Sequence, residues 1–181
     1  MISELLKTET KTLHDQVETK FLSYKIFTGT FSEDDYRNLL YSNYILHSHF
    51  ESRVFSLLSP NFSEKLQLRH RAKLKLIKED LESMVLPVQI PKLTVSIKNE
   101  AQAIGVLYVM EGSTLGGNVI AKQLAKLPQF AQVQFNYFGV YKDQTGSRWK
   151  EFKTVLDSEF TADYPHVLEG VQKAYLLLLQ N

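Results

Sequence analysis

The chain has 181 residues, 44% of them hydrophobic, and its 21 basic side chains nearly balance its 20 acidic ones. This length fits one domain over residues 1–181 with a sizeable core. The balance of charge leaves no basic surface for general nucleic-acid binding. The sequence has no cysteine, which excludes disulfides and any metal or cofactor site built on thiolates.

The N-terminal segment lacks the basic stretch followed by an apolar run that marks a secretory signal. No window of the sequence approaches the about 18 uninterrupted apolar residues that a membrane-spanning helix needs. We therefore expect a cytoplasmic protein that does not bind membranes.

Helical spacing of apolar residues dominates the first part of the chain. Ser3 can cap a first helix that runs to about Leu22, with apolar side chains three and four residues apart. Ser32 then precedes Asp35 at the spacing of a capping box. This pair predicts the start of a long helix that ends at about Leu58.

The same spacing continues towards the C terminus. Asn61 predicts a third helix, ending at about Met84, after which Pro87 and Pro91 bound an irregular connection. Ser96 predicts a fourth helix, ending at about Leu127. Two further helices are predicted at about 145–158 and 164–180. The pattern indicates a single all-α domain.

The fourth predicted helix contains glycines at positions 105, 112, 116 and 117. Each glycine inside a helix costs about 0.5–1 kcal/mol relative to alanine, so an offsetting interaction is expected. At about 100° per residue, Gly105, Gly112 and Gly116 fall on one narrow stripe beside Tyr108. The stripe indicates either close helix–helix packing or close approach of the backbone to a flat ligand.

The first predicted helix carries His14, one of five histidines in the chain. Lys7, Lys11 and Glu18 lie on the same side, at i−7, i−3 and i+4. Seven residues rise about 10 Å along a helix, so one helix could supply both an imidazole ligand to a metal and cations for the carboxylates of a planar cofactor. The simpler interpretation is a surface histidine on a solvated lysine face.

Two segments of this chain together resemble the haem oxygenase family, most closely its bacterial branch, which includes enzymes associated with bacteriophytochromes. The first is Leu13-His14 with Val17-Glu18. The second runs from Leu107 to Gly117 and reads Leu-Tyr-Val-Met-Glu-Gly-Ser-Thr-Leu-Gly-Gly. The resemblance implies a compact multi-helix domain that holds haem between a proximal helix and a glycine-rich distal helix.

The resemblance also implies roles for individual residues. His14 would be the proximal ligand of the iron, and Gly112, Ser113 and Gly116 would form the catalytic distal wall. The other residues expected to contact haem or its propionates are Lys7, Lys11, Tyr108, Gly117, Arg148 and Lys150. Animal members of the family carry an aspartate where this chain has Ser113, so proton delivery is expected to use Ser113 and backbone carbonyls.

The function implied is oxidative cleavage of haem, as both cofactor and substrate, to biliverdin, carbon monoxide and ferrous iron. This oxidoreductase reaction needs O2 and an external electron donor, such as a reductase or a ferredoxin-type protein. Two alternatives remain open: a non-catalytic haem carrier or sensor, and a non-haem di-iron enzyme on the same helical scaffold. The natural ligands of the second would be His47, His49, Glu51 and Glu111.

Overall fold

The computed structural model describes residues 1–86 and 89–180, and every regular element within these two ranges is helical. The α-helices are α1 (Ile2–Glu9), α2 (Lys11–Lys20), α3 (Tyr24–Thr28), α4 (Glu33–Leu57), α5 (Pro60–Lys65), α6 (Leu74–Ser83), α7 (Glu100–Leu124), α8 (Thr145–Glu159) and α9 (Tyr164–Gln180). The predicted all-α fold is therefore confirmed. Pro87, expected to begin an irregular connection, lies outside the described residues.

Two helix starts follow from local hydrogen bonds. The Ser32 hydroxyl accepts a hydrogen bond from the Asp35 amide, and the Asp35 carboxylate accepts one from the Ser32 amide, so the predicted capping box begins α4. The cap of α7 is Asn99 rather than Ser96, because the Asn99 side chain accepts a hydrogen bond from the Gln102 amide.

The first helix was expected to run without a break from Ser3 to Leu22, and this expectation is wrong. It is interrupted at Thr10, which separates α1 from α2. The Thr10 hydroxyl donates to the Leu6 carbonyl at 2.7 Å, a side-chain bond that bends helices. Ser3 caps no helix; its amide and hydroxyl instead bind the Asp157 carboxylate on α8.

The predicted helix from Asn61 to Met84 is also divided. It consists of α5, a 3₁₀ turn at Leu68–Arg71, and α6. Gln67 adopts a left-handed backbone conformation, with φ of 49°, and this ends the helical path. The break turns the side chains of Arg71 and Lys73 into the core, where both are buried.

α7 is the central helix and packs against α4, α8 and α9. Its residues 101–111 are all buried. It crosses α9 so closely that a Cβ atom added to Gly105 would lie 2.1 Å from the Val167 carbonyl oxygen. The same crossing places an added Cβ on Gly170 2.1 Å from the Gln102 carbonyl oxygen.

α2 lies at the edge of the molecule. None of its ten residues, all within the described part of the chain, is buried. It packs against α9, and the Lys20 ammonium donates to the carbonyls of Leu178 and Leu179 at 2.9 and 3.0 Å. Among residues 1–86 and 89–180, the structure contains no helix with the length and apolar character required to cross a bilayer.

Candidate functional site

The second half of α7 presents an open face. A Cβ atom added to Gly116 would meet no atom within 4 Å, and one added to Gly112 would meet only the Trp149 ring, at 3.5 Å. Leu115 and Val119, on the same face, are 38% and 41% exposed. A helix whose backbone is bare and whose apolar side chains are uncovered can form the wall of a binding site for a flat apolar ligand.

The other two glycines of α7 have filled surroundings. The side-chain position of Gly105 is occupied by α9, and a Cβ on Gly117 would lie 2.6 Å from Cδ1 of Phe138. At Gly105 the stripe therefore serves close helix–helix packing, one of the two interpretations that the sequence left open. The open wall is limited to Gly112 and Gly116.

The His14 imidazole on α2 is accessible, with 53% of its side-chain surface exposed. It meets the Tyr175 ring edge-on, at 6.2 Å between centroids. Its Nδ1 atom lies 3.9 Å from carboxylate oxygens of both Asp15 and Glu18. At this distance the carboxylates are neighbours of Nδ1 rather than hydrogen-bond partners.

Aromatic rings connect the surroundings of His14 with the open wall of α7. Tyr175 on α9 lies close to Tyr108 on α7, and burial together with this neighbouring phenol raises the pKa of Tyr175. Tyr108 packs against Trp149 on α8, at 5.3 Å between ring centroids, and Trp149 reaches Gly112. Burial, with a smaller effect of Glu4 and Asp157, raises the pKa of Tyr108 to about 12, so its phenol is neutral.

The predicted basic contacts lie in different surroundings. Lys7, Lys11 and Lys150 are exposed, and Lys11 binds Asp15 in a surface ion pair. Arg148 donates to the Gln67 side chain at 2.6 Å, on the α5 side of α8. Lys153, in the same basic segment around Trp149, has its ammonium 5.9 Å from the centre of the Trp149 ring.

A buried hydrogen-bond network lies behind the open wall. The Ser113 hydroxyl donates to the Met110 carbonyl and lies 3.5 Å from the Tyr137 hydroxyl. The Tyr137 hydroxyl donates to Oδ1 of Asn43 and lies 3.3 Å from Nε2 of His47, whose Nδ1 is 2.8 Å from Glu51. Burial lowers the pKa of His47 despite the Glu51 carboxylate, so the imidazole is neutral near pH 7.

A second buried cluster joins α7 to the segment before α6. Both oxygens of Glu111 are bound, one by the Arg71 guanidinium and the other by the Lys73 ammonium. The Tyr141 hydroxyl also donates to Glu111. Burial alone would raise the pKa of Glu111, but Lys73 and Arg71 outweigh it and hold the pKa below its usual value. Arg71 also donates to the Arg148 carbonyl, which fixes α8 beside α7.

These partners argue against a di-iron site. Glu111 is held by two cations, Glu51 accepts hydrogen bonds from His47 and from backbone amides, and His49 binds the Val95 carbonyl. In the described ranges, the only His, Asp and Glu side chains grouped closely enough to hold a metal are His14, Asp15 and Glu18, all exposed. The structure does not assemble the ligand set of that alternative.

Two surface cavities are lined by residues of other parts of the fold. One, of about 480 Å³, is lined by His70, Tyr141, Lys142, Arg148 and the segment between them. The other, of about 450 Å³, lies on the outer face of α2. Neither of these two cavities is lined by Gly112 or Gly116.

Sequence reasoning did not identify the network partners Arg71, Lys73, Tyr137 and Tyr141. Arg71 and Lys73 belong to a basic segment that is typical of a protein surface. One signal was available: Glu111 interrupts an apolar run on the central helix, and a buried carboxylate requires cationic partners.

The whole described length of the chain matches known proteins. The "Heme oxygenase" family model matches residues 1–178. A haem oxygenase from Xanthomonas campestris pv. campestris (strain 8004) is 31% identical over 129 residues, which cover 71% of this chain and 76% of the relative. The structure resembles a haem oxygenase from Neisseria meningitidis, solved with NO and CO bound, with a TM-score of 0.74 at 19% identity. That match covers 99% of this chain and 91% of the other, and supports the fold.

The fold and the matches define a helical oxidoreductase of the class that acts on haem. This chain belongs to the haem oxygenase family. Family membership supports haem degradation, with O2 and reducing equivalents as the general requirements.

Proposed function

We propose that this protein cleaves haem oxidatively to biliverdin, carbon monoxide and ferrous iron, acting as one domain. The observation that carries the proposal is the open wall at Gly112 and Gly116. At both positions a methyl group could be added without a clash, so the α7 backbone is accessible there. The exposed Leu115 and Val119 extend this wall with apolar surface suited to a macrocycle. The residues present therefore fit haem as the ligand.

His14 is proposed as the axial ligand through Nε2. Its Nδ1 lies 3.9 Å from carboxylate oxygens of Asp15 and Glu18. A hydrogen bond from the bound imidazole to either one would orient the ring and increase its basicity. The exposed lysines at positions 7, 11 and 150 are proposed to bind the propionates. Their flexible side chains can reach a carboxylate at low cost, since surface ion pairs such as Lys11–Asp15 are weak.

Haem, when bound, supplies both the iron that activates O2 and the ring that is oxidised. The protein orients the reacting groups and excludes competing chemistry. Ser113, which replaces the aspartate of animal relatives, and the neutral Tyr137 behind it place two hydroxyl groups next to the wall. In the structure they donate to the Met110 carbonyl and to Asn43, so proton delivery would require each hydroxyl to rotate away from that acceptor. The electrons would come from an external reductase or a ferredoxin-type protein.

The axial assignment is tested by haem titration of His14→Ala, with His166→Ala as an exposed-histidine control. We expect His14→Ala to fold normally, because the side chain is half exposed, and to lose the wild-type coordination in its visible and EPR spectra. His166→Ala should retain the wild-type spectra. Unchanged iron coordination in His14→Ala would refute the ligand assignment.

Turnover is tested by adding a reductant and O2 to the wild-type complex. We expect the Soret band to disappear and biliverdin to be recovered by chromatography. A stable oxygen complex that keeps its Soret band would indicate a carrier or sensor instead. Gly112→Leu should weaken haem binding while His14 ligation persists, since its side chain would enter the space next to Trp149.

A further inference from the structure

Trp149, the only tryptophan of the chain, occupies a distinctive position on α8. Its ring stacks on Phe152, with 5.6 Å between centroids and 15° between the planes. Its Cη2 atom lies 3.5 Å from the position of a Cβ on Gly112. The indole is thus the large side chain that reaches the bare wall of α7.

The indole is held in place from several sides. Phe152, on which it stacks, is fully buried, and Tyr108 packs against another part of the indole. The backbone of the preceding residue, Arg148, is fixed to the core by the buried Arg71. A ring fixed by packing and by a buried hydrogen bond can select between orientations of a ligand that touches it.

The remaining features of the site do not restrict the rotation of haem about its bond to His14. A single bond from His14 fixes the centre of haem but not its rotation about that bond. Gly112 and Gly116 have no side chains that could contact the ring edge, and the lysines are exposed and flexible. Leu115 and Val119 on the same face are exposed. The indole is the large side chain at this wall that stacks on a fully buried ring, so it is the group best held to restrict rotation.

We infer that Trp149 determines the rotational seating of haem, and thereby which meso carbon is oxidised. The inference rests on the proposed function. The four meso carbons are chemically similar, so selection between them depends on contacts with the protein. A lost apolar contact of this kind changes discrimination by about 10-fold or more.

The test uses full-length Trp149→Ala and Trp149→Phe with haem, and Thr154→Ala as a control at an exposed position of the same helix. Proton NMR of the ferric cyanide complex reports the seating, because the shifts of the haem methyl groups depend on rotation about the axial bond. Chromatography of the biliverdin isomers reports the site of oxidation. Circular dichroism establishes that each variant is folded.

We expect Trp149→Ala to change the methyl shifts and to alter the isomer ratio about 10-fold. Trp149→Phe, which keeps an aromatic plane, should restore most of the wild-type pattern, and Thr154→Ala should retain all of it. Wild-type shifts and isomer ratio in Trp149→Ala would overturn the inference. Haem binding without biliverdin formation in the wild type would refute only the proposed function, since the NMR measurement still decides the seating.

Discussion

The two halves of α7 carry glycines at the same helical angle, but their surroundings differ. In the first half, residues 101–111 are all buried, and Gly105 lets the backbone of α9 approach. In the second half, burial alternates with exposure, and Gly116 faces open space. One stripe of small residues therefore serves helix packing at one end and leaves the backbone open at the other.

The difference arises from the partner helix and not from the glycines. α9 covers the first half of α7, and Gly170 contributes the matching close approach. Over the second half, the described neighbour of Gly112 is one aromatic ring. The difference between the two halves of α7 can be tested by measuring unfolding free energy and haem binding separately for each variant.

The largest effect is expected at Glu111, where the two halves meet. Glu111→Gln would remove the carboxylate that binds both buried cations, Lys73 and Arg71, and leave Arg71 with only the half-exposed Glu151, at 4.0 Å. Breaking a buried ion pair typically costs about 3–5 kcal/mol of unfolding free energy. Urea unfolding measures the loss, and Glu64→Gln, at an exposed carboxylate, is expected to cost less than about 0.5 kcal/mol. Equal stabilities of the two variants would contradict the structural role of Glu111.

The next effect is expected at Gly105. In Gly105→Ala the new methyl group would collide with the backbone of α9, which cannot move aside as a side chain can. We expect a loss of about 3 kcal/mol in unfolding free energy, the upper part of the range for overpacked cores. The measurement is again urea unfolding of the haem-free protein. If Gly105→Ala did not change the unfolding free energy, the crossing of α7 and α9 would have to leave room for a methyl group.

A smaller effect on the unfolding free energy is expected from pH, through the buried network of Ser113, Tyr137 and His47 behind the second half of α7. The pKa of His47 is lowered by burial, with Glu51, Lys73 and Glu111 as its charged neighbours. Below pH 6.5 the unfolded chain therefore binds more protons than the folded one, and stability falls as the pH decreases. The lowered pKa of Glu111 adds a further loss below about pH 4.5.

Unfolding at a series of pH values measures this dependence. His47→Gln can keep hydrogen bonds to Glu51 and Tyr137 but cannot titrate. Its stability should therefore change less than that of the wild type between pH 7 and pH 5. An identical pH dependence in both proteins would assign the loss to other groups.

The smallest effect, with the opposite sign, is expected at Gly116. Gly116→Ala adds a methyl group in open space within a helix, so the haem-free protein should gain about 0.5–1 kcal/mol of stability. The same methyl group would enter the wall and weaken haem binding, measured by titration. A loss of stability like that of Gly105→Ala would show that the two halves do not differ.

Local features of the fold were predictable from sequence. The Ser32 capping box and the helices near 145–158 and 164–180 depend on residues close together in the chain. The break at Thr10 was missed because helical spacing continues through it, and the bond from its hydroxyl to Leu6 is a local competition that the pattern does not reveal.

The candidate site was predictable only in part. Gly112, Gly116 and His14 were predicted as site residues from their spacing and from a family resemblance, and their roles stay predictions. The different surroundings of Gly105 and Gly116 depend on α9, about 60 residues further along the chain, and no local pattern contains that information. Arg71 and Lys73 were missed for the same reason, since their partner Glu111 lies 40 and 38 residues away.

Because α2 packs only at the edge of the molecule, the stability of this helix would depend on whether haem is bound. Because none of its ten residues, all in the described ranges, is buried, local opening of this helix costs little free energy compared with global unfolding. A ligand bound through His14 in the helical form would add its own binding free energy to the stability of α2. When the reaction consumes the haem, α2 would lose this added stability. The helix that captures the substrate would then be the part of the chain that loosens first when the product forms.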